Sequence, residues 1–268
     1  MPFLLHSQNV VTQLSNADGL SNNSVNCFLE DSEHALWIGT WEGLNVYNGR
    51  NFKNYSYNKK DIGSISNNVI WQIIEQNDSI MWVSTDYGIN QWKRSTQKFT
   101  PYFLGTDQIG ITSQKNIICY VKERGLFYFD EQQQEFIRLK NKLPNNIKKF
   151  VIDNENRLVF LTEEGKLYLY FFAFDKSKPL LSFIKIIEHP GAISTIYLTD
   201  ESFIADSKRS ITLFSNYIPQ RTINLPREKN VSQIIQQNNL LFISFIEGEC
   251  MKYNLEDGSE EKLSNLPE

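Results

Sequence analysis

The side chains with most to offer chemically stand in pairs just ahead of a repeated glycine. Trp41-Glu42 precedes Gly43, Asp86-Tyr87 precedes Gly88, and Glu123-Arg124 precedes Gly125. Glu163-Glu164 precedes Gly165, Glu247 precedes Gly248, and Lys208-Arg209 occupies the corresponding place before Ser210. An aromatic face covers the apolar side of a pyranose, and carboxylates or guanidinium groups bond its hydroxyls, so these pairs have the makings of a saccharide-binding surface. The turn itself needs only the glycine, which leaves Trp41 and Tyr87 without a local backbone reason to be there. Arg124 adds a forked donor suited to a carboxylate or sulfate, while Glu42 and Asp86 suit neutral hydroxyls. The candidate ligand-binding set is Trp41, Glu42, Asp86, Tyr87, Glu123, Arg124 and Arg209, with Asn22-Asn23 and Asn67-Asn68 in the segments that lead into the first two repeats.

Catalytic and metal chemistry finds less to work with. No phosphate-cradling glycine loop, nucleophile elbow or His-Glu-x-x-His pattern occurs. His6, His34 and His189 fall in the N-terminal arm and in inter-strand loops, where a solvated imidazole is the expectation. Cys27, Cys119 and Cys250 are odd in number and far apart, without Cys-x-x-Cys spacing, and are expected as buried free thiols. Asp31 and Asp153 each follow the first strand of a repeat and are expected to stabilise a turn by side-chain to backbone bonds. No catalytic residue, metal site or cofactor is expected.

Composition excludes further classes. Twenty-seven Lys and Arg against 31 Asp and Glu give a net charge of −4 with no markedly basic stretch, so nucleic acid is not an expected partner. The longest apolar run, Leu167 to Phe174, is far below the ~20 residues of a membrane-spanning helix, and no membrane contact is expected from this segment. The first residues, Met-Pro-Phe-Leu-Leu-His, do not read as a secretory leader, so the expectation is either a cytoplasmic protein or a piece of a longer one.

The elements that must position the glycine turns come from internal repetition. With 13% aromatic residues, short β-branched runs and no sustained helical period, the chain reads as all-β. Ser24-Val-Asn-Cys-Phe-Leu-Glu-Asp31, Ala35-Leu-Trp-Ile-Gly-Thr40, Trp41-Glu-Gly-Leu-Asn-Val-Tyr47 and Phe52-Lys-Asn-Tyr55 recur as Asn68-Val-Ile-Trp-Gln-Ile-Ile-Glu75, Ile80-Met-Trp-Val-Ser-Thr85, Asp86-Tyr-Gly-Ile-Asn-Gln-Trp92 and Lys98-Phe-Thr100. Four weaker copies follow. Six units of ~40 residues, each with four short strands, predict a β-propeller, with a strand solenoid as the other reading. The expected blades are 20–57, 66–103, 108–139, 146–187, 192–225 and 231–263, in one domain spanning 1–268. Residues 3–14 supply an N-terminal closing strand, so the ring either closes at six or belongs to a truncated seven-bladed one. Trp37, Trp82, Tyr47, Trp92, Tyr128 and Tyr168 hold equivalent strand positions and are expected to wedge blades together.

The phrase Asp18-Gly-Leu-Ser-Asn-Asn-Ser-Val25, with Leu36-Trp-Ile-Gly-Thr40 and Gly43-Leu-Asn-Val-Tyr47, resembles the two-component regulator propeller repeat. The second unit departs only by Ser84 for the usual glycine, and the last three keep little beyond strands and a turn residue. The resemblance implies the periplasmic sensor part of a hybrid two-component system, in which propellers precede an immunoglobulin-like domain, a membrane span and a histidine kinase. It implies that this chain is a non-catalytic fragment of the first propeller, that its ligand is an oligosaccharide or other small molecule, and that the rest of the parent sensor is its partner; a homodimer is left open. A protein-interaction scaffold and a propeller lyase are the alternatives. Asn-x-Ser sequons at Asn22, Asn54, Asn77 and Asn230 are outweighed by this bacterial resemblance.

Overall fold

Strand-forming runs separated by connections of two to five residues fold into successive antiparallel hairpins in this computed structural model. It describes residues 14–105, 108–175, 178–189, 191–199, 203–207, 210–225, 230–246 and 249–263. Blade 1 contains β1 (Val25–Glu30), β2 (Leu36–Thr40), β3 (Gly43–Tyr47) and β4 (Phe52–Tyr55), and blade 2 contains β5 (Ile70–Asn77), β6 (Ile80–Thr85), β7 (Gly88–Lys93) and β8 (Lys98–Tyr102). Blade 3 follows with β9 (Gln108–Ile111), β10 (Ile117–Val121), β11 (Gly125–Asp130) and β12 (Glu135–Arg138), then blade 4 with β13 (Ile147–Ile152), β14 (Arg157–Thr162), β15 (Leu167–Asp175) and β16 (Lys178–Ile187). Blade 5 has β17 (Thr195–Leu198), β18 (Phe203–Asp206), β19 (Ser210–Ser215) and β20 (Ile218–Asn224), and blade 6 has β21 (Val231–Gln237), β22 (Leu240–Phe245), β23 (Cys250–Asn254) and β24 (Glu260–Lys262). Each sheet runs in simple sequence order, so the molecule is a six-bladed, all-β propeller of four-stranded antiparallel blades. Its helical content among the described residues is one 3-10 turn, Asn16–Asp18, capped by Ser15. The expected closing strand at 3–14 lies outside the described residues except for Leu14.

A single blade has two apolar faces and cannot bury them alone. The core of the described residues is accordingly divided into five slabs, one between each pair of successive blades. Between blades 1 and 2, Trp37 meets Trp92 edge to face with ring centroids 4.8 Å apart, and Trp82 meets Phe129 at 4.7 Å between blades 2 and 3. Such pairs add about 0.5–1.5 kcal/mol beyond the area they bury. Tyr128 and Tyr168 pack into the slab between blades 3 and 4. Tyr47 corrects the expectation: it pairs with Phe52 at 4.7 Å inside its own blade, because β3 and β4 place the two side by side.

The two turn aspartates also reach into neighbouring blades. Asp31 accepts the backbone N–H groups of Glu33 and Ala35 and the Trp37 indole N–H, and pairs with Arg94 of blade 2 at 3.0 Å. Asp153 accepts the N–H groups of Glu155 and Arg157, and its second oxygen accepts the Tyr217 hydroxyl of blade 5 at 2.6 Å. The three cysteines are free and lie on blades 1, 3 and 6, but only Cys119 is fully buried; Cys27 and Cys250 are half-buried on strands that border a single slab. Burial pushes the Cys27 thiol up to about 12 and that of Cys119 higher, which keeps both protonated.

Candidate functional site

The phrase that leads into each of the first two blades builds the scaffold of the turn. In blade 1 the Ser21 N–H donates to Asn45 Oδ1 at 2.8 Å, and Asn45 Nδ2 returns a bond to Ser21 Oγ. Thr40 Oγ1 donates to the Gly43 carbonyl and accepts the Glu42 N–H, which leaves the Ser21 hydroxyl to donate to Thr40 at 3.0 Å. Blade 2 repeats the network with Ser66, Thr85, Gly88 and Asn90, and Tyr87 N–H takes the place of Glu42 N–H. Gly43 and Gly88 close these two-residue turns at φ of +133° and +138°, a conformation that side chains rarely adopt. With the backbone thus satisfied, the side chains of Trp41, Glu42, Asp86 and Tyr87 are turned out to solvent, Trp41 at 49% and Tyr87 at 63% exposure.

The first strand of each blade supplies the wall these turns overlook. The β1–β2, β5–β6, β13–β14 and β21–β22 ladders each slip by one residue at the same place, which leaves Asn26, Trp71, Lys148 and Ser232 in equivalent bulges. A bulge releases its residue from the in-out alternation of the strand. Trp71 and Lys148 use that freedom to line a channel of about 610 Å³ bordered by the first strands of blades 2 to 6. Trp41 meets Trp71 edge on at 5.5 Å, and the Trp71 indole N–H donates to Asp86 Oδ1 at 2.6 Å. The pair therefore offers two apolar rings, with the Trp71 indole N–H already satisfied by Asp86.

Polar side chains tie the blades together around the wall. Asn26 donates to the Ile70 carbonyl, Gln72 accepts the Ile109 N–H, and Gln108 bonds both the Lys148 carbonyl and the Phe150 N–H. Lys148 Nζ donates to the Ser194 carbonyl at 2.6 Å, and Lys149 Nζ lies 3.4 Å from Thr195 Oγ1 and 4.8 Å from the centre of the Tyr197 ring. The Tyr197 hydroxyl completes the series with the Val231 carbonyl at 2.8 Å. Burial, reinforced by the neighbouring Lys148 charge, lowers the Lys149 ammonium to about 8. Burial, with Asp206 adding to it against the Thr195 bond, raises the Tyr197 hydroxyl and keeps it neutral.

The expected site residues are thus divided. Trp41 and Asp86 come together through Trp71, and Glu42 and Tyr87 flank them on the same turns. Glu123 lines a separate polar cleft of about 590 Å³ with Lys122, Arg138, Asn146 and Glu163. The Arg124 guanidinium sits 5.3 Å over the Phe127 ring of its own blade and shares no described contact with Trp41 or Tyr87. Arg209 lies outside the described residues. Trp71, Lys148 and Lys149 were not among the candidates; the available signal was a large aromatic in a first strand beside Gln72, but the bulge that aims it is a property of pairing.

The fold and this arrangement define a β-propeller with a channel of about 610 Å³ lined by the first strands of blades 2 to 6. Residues 19–42, which contain the Ser21–Thr40 scaffold and the Trp41 turn, match the model of the two component regulator propeller family. No curated protein sequence matches the chain. The fold is similar to that of the extracellular domain assigned to the hybrid two-component system BT3049 of B. thetaiotaomicron, with a TM-score of 0.72, 21% identity, and coverage of 96% of this chain and 37% of that one. It is similar also to the extracellular domain of BT4673 from the same organism, with a TM-score of 0.73, 15% identity and coverage of 96% and 39%. PorZ, a surface component of the type-IX secretion system of Porphyromonas gingivalis, matches with a TM-score of 0.67, 18% identity and coverage of 93% and 33%. The chain spans little more than a third of the solved chains it resembles. Among the described residues no helix is long and apolar enough to cross a membrane.

Proposed function

We propose that the chain is a non-catalytic, extracytoplasmic ligand-sensing module of a hybrid two-component regulator, facing the periplasm, and that an oligosaccharide binds at the mouth of its channel and signals to a histidine kinase. The observation that carries this reading is the Trp41–Trp71 pair, fixed by Asp86, at the rim of a channel whose largely apolar wall carries the amides of Gln72, Gln108 and Gln233. Ring faces stack on the apolar side of a sugar, and amides bond its hydroxyls. The match of residues 19–42 and the likeness to extracellular domains of hybrid two-component systems support the sensing role. Calorimetric titration with a panel of plant- and host-glycan oligosaccharides tests it. Trp41→Ala and Trp71→Ala should each weaken binding by about 1–3 kcal/mol at an unchanged melting temperature, with the saccharide recovered intact. Binding indifferent to both substitutions would move the site elsewhere.

A second reading, an interaction or dimerisation scaffold, is favoured by the long outer strand of blade 4. Leu180, Phe183, Ile184 and Ile186 of β16 are all exposed on a sheet edge, the kind of edge that recruits another strand. Sedimentation of the parent against Phe183→Lys tests this: a dimer that the substitution dissolves supports the scaffold, and a monomeric parent removes it.

A further inference from the structure

The channel wall is electrostatically lopsided. Its described lining holds two ammonium groups, Lys148 and Lys149, and no aspartate or glutamate. Both lysines leave β13 on adjacent residues, an arrangement the bulge permits, and both reach toward the segment that opens blade 5. Their direct contacts there are neutral, the Ser194 carbonyl, the Thr195 hydroxyl and the Tyr197 ring, and the Asp206 carboxylate stands behind them, accepting the Ser194 hydroxyl at 2.9 Å. Glu163 stands in the adjoining cleft beside Lys148, yet among the described residues neither lysine belongs to an ion pair. Two like charges on neighbouring residues of a partly desolvated wall repel each other, and their direct partners are neutral groups, the carboxylates of Glu163 and Asp206 standing outside ion-pair distance. An anion placed between them removes both penalties together.

Other groups complete a recognition geometry. Gln233 of β21 and Gln72 of β5 border the same channel and are suited to hydroxyls, and Trp71 of β5 lines it with them. A sugar stacked on Trp71 with an acidic substituent directed into the channel reaches the ammonium groups while its hydroxyls remain near amides. Arg124, the residue that sequence alone nominated for an acidic group, is engaged on Phe127.

We propose that Lys148 and Lys149 form the anion-recognition subsite of the channel, and that the saccharide it takes carries an oxyanion, either a uronate carboxylate or a sulfate ester. This rests on the saccharide-binding reading above and specifies its ligand class. The two ammonium groups supply charge-assisted bonds to the oxyanion, and Trp71 holds the ring that bears it.

The test is a calorimetric comparison of three disaccharides: a neutral one, its 6-carboxylate and its 6-sulfate. The parent should bind one or both acidic forms about tenfold to a hundredfold more tightly than the neutral one, the range that charge-assisted bonds supply. The better of the two acidic forms identifies whether the source is carboxylate or sulfate. Lys148→Gln and Lys149→Gln should each erase the acidic preference while retaining neutral binding, and Lys140→Gln, an exposed charge elsewhere, should leave it intact. Lys148 is exposed on the bulge, so its variant keeps the test decisive if the Lys149 variant fails to fold. Equal binding of all three disaccharides, or a preference that survives both substitutions, overturns the subsite while leaving saccharide sensing in place. Binding of none overturns both.

Discussion

Asp31 carries more than the turn it closes. Burial pushes its carboxyl upward, but the Trp37 indole, the Ala35 N–H, Arg94 and the Glu33 N–H together outweigh that and hold it below the ordinary carboxylate range. A carboxyl with a lowered folded value gives its full stabilisation above the unfolded value and loses it as pH falls through the folded one. Asp31→Ala should cost about 1–3 kcal/mol in urea melts at neutral pH, since it orphans the buried indole and leaves Arg94 with only Glu33 and Glu75 as partners. The variant should also lose less stability than the parent on acidification; parallel losses would show that Asp31 does not titrate with folding. Lys149 works in the opposite sense. Its value falls from 10.5 to about 8, so between those values the unfolded chain holds the extra proton and stability should rise with pH. The groups that face it are the Lys148 charge, the Thr195 hydroxyl and the neutral Tyr197 ring. Lys149→Met should stabilise the protein at pH 7 and flatten that rise; a pH profile unchanged by the substitution would contradict the assignment.

At the scale of the element, the turn between the second and third strands depends on one glycine, and its neighbours are free to serve contact. A Cβ on Gly88 would stand 2.3 Å from the Tyr102 carbonyl oxygen at a φ of +138°, whereas Gly49, at φ +88°, has open space around it. Gly88→Ala should therefore destabilise by about 1–3 kcal/mol or more and Gly49→Ala by about 1 kcal/mol or less, as read from thermal melts. Equal losses would mean that the close approach to β8 is relieved by local movement. These elements explain what was legible in the sequence. Gly43 and Gly88, 45 residues apart and each preceded by Leu/Met-Trp-Ile/Val-Gly/Ser-Thr, announce a repeat because the same turn chemistry must recur in each blade. Trp41 and Asp86 were legible for the same reason, standing where the turn makes no demand of its own. Trp71, Lys148 and Lys149 were not, because their orientation follows from a one-residue slip between β5 and β6 or β13 and β14, and alternation alone gives no hint of where a ladder slips. The placement of Arg124 was not legible for a related reason: position on a turn does not reveal that a nearby ring, Phe127, will hold its guanidinium.

The whole molecule is a series of blades joined by slabs of apolar side chains, and this has a consequence for its cooperativity. Blades 2 to 5 each share two of the described slabs, while blades 1 and 6 share one each. Phe28 of β1 and Ile235 of β21 are correspondingly half-exposed, at 49% and 43%. In such arrays local stability follows the number of interfaces, so amide exchange should be slowest in β10, β14 and β18 and faster in β2 and β22. The wall of the channel takes one strand from each of five blades, so under the proposed function a ligand there would contact several blades at once. Amide exchange measured with and without a saturating acidic disaccharide tests that claim most directly. Protection should gather at the Trp41-Glu42 turn, at Trp71-Gln72 of β5 and at Lys148-Lys149 of β13, with the outer hairpins unchanged. Protection confined to β15 and β16 of blade 4, or none at the channel mouth, would contradict it.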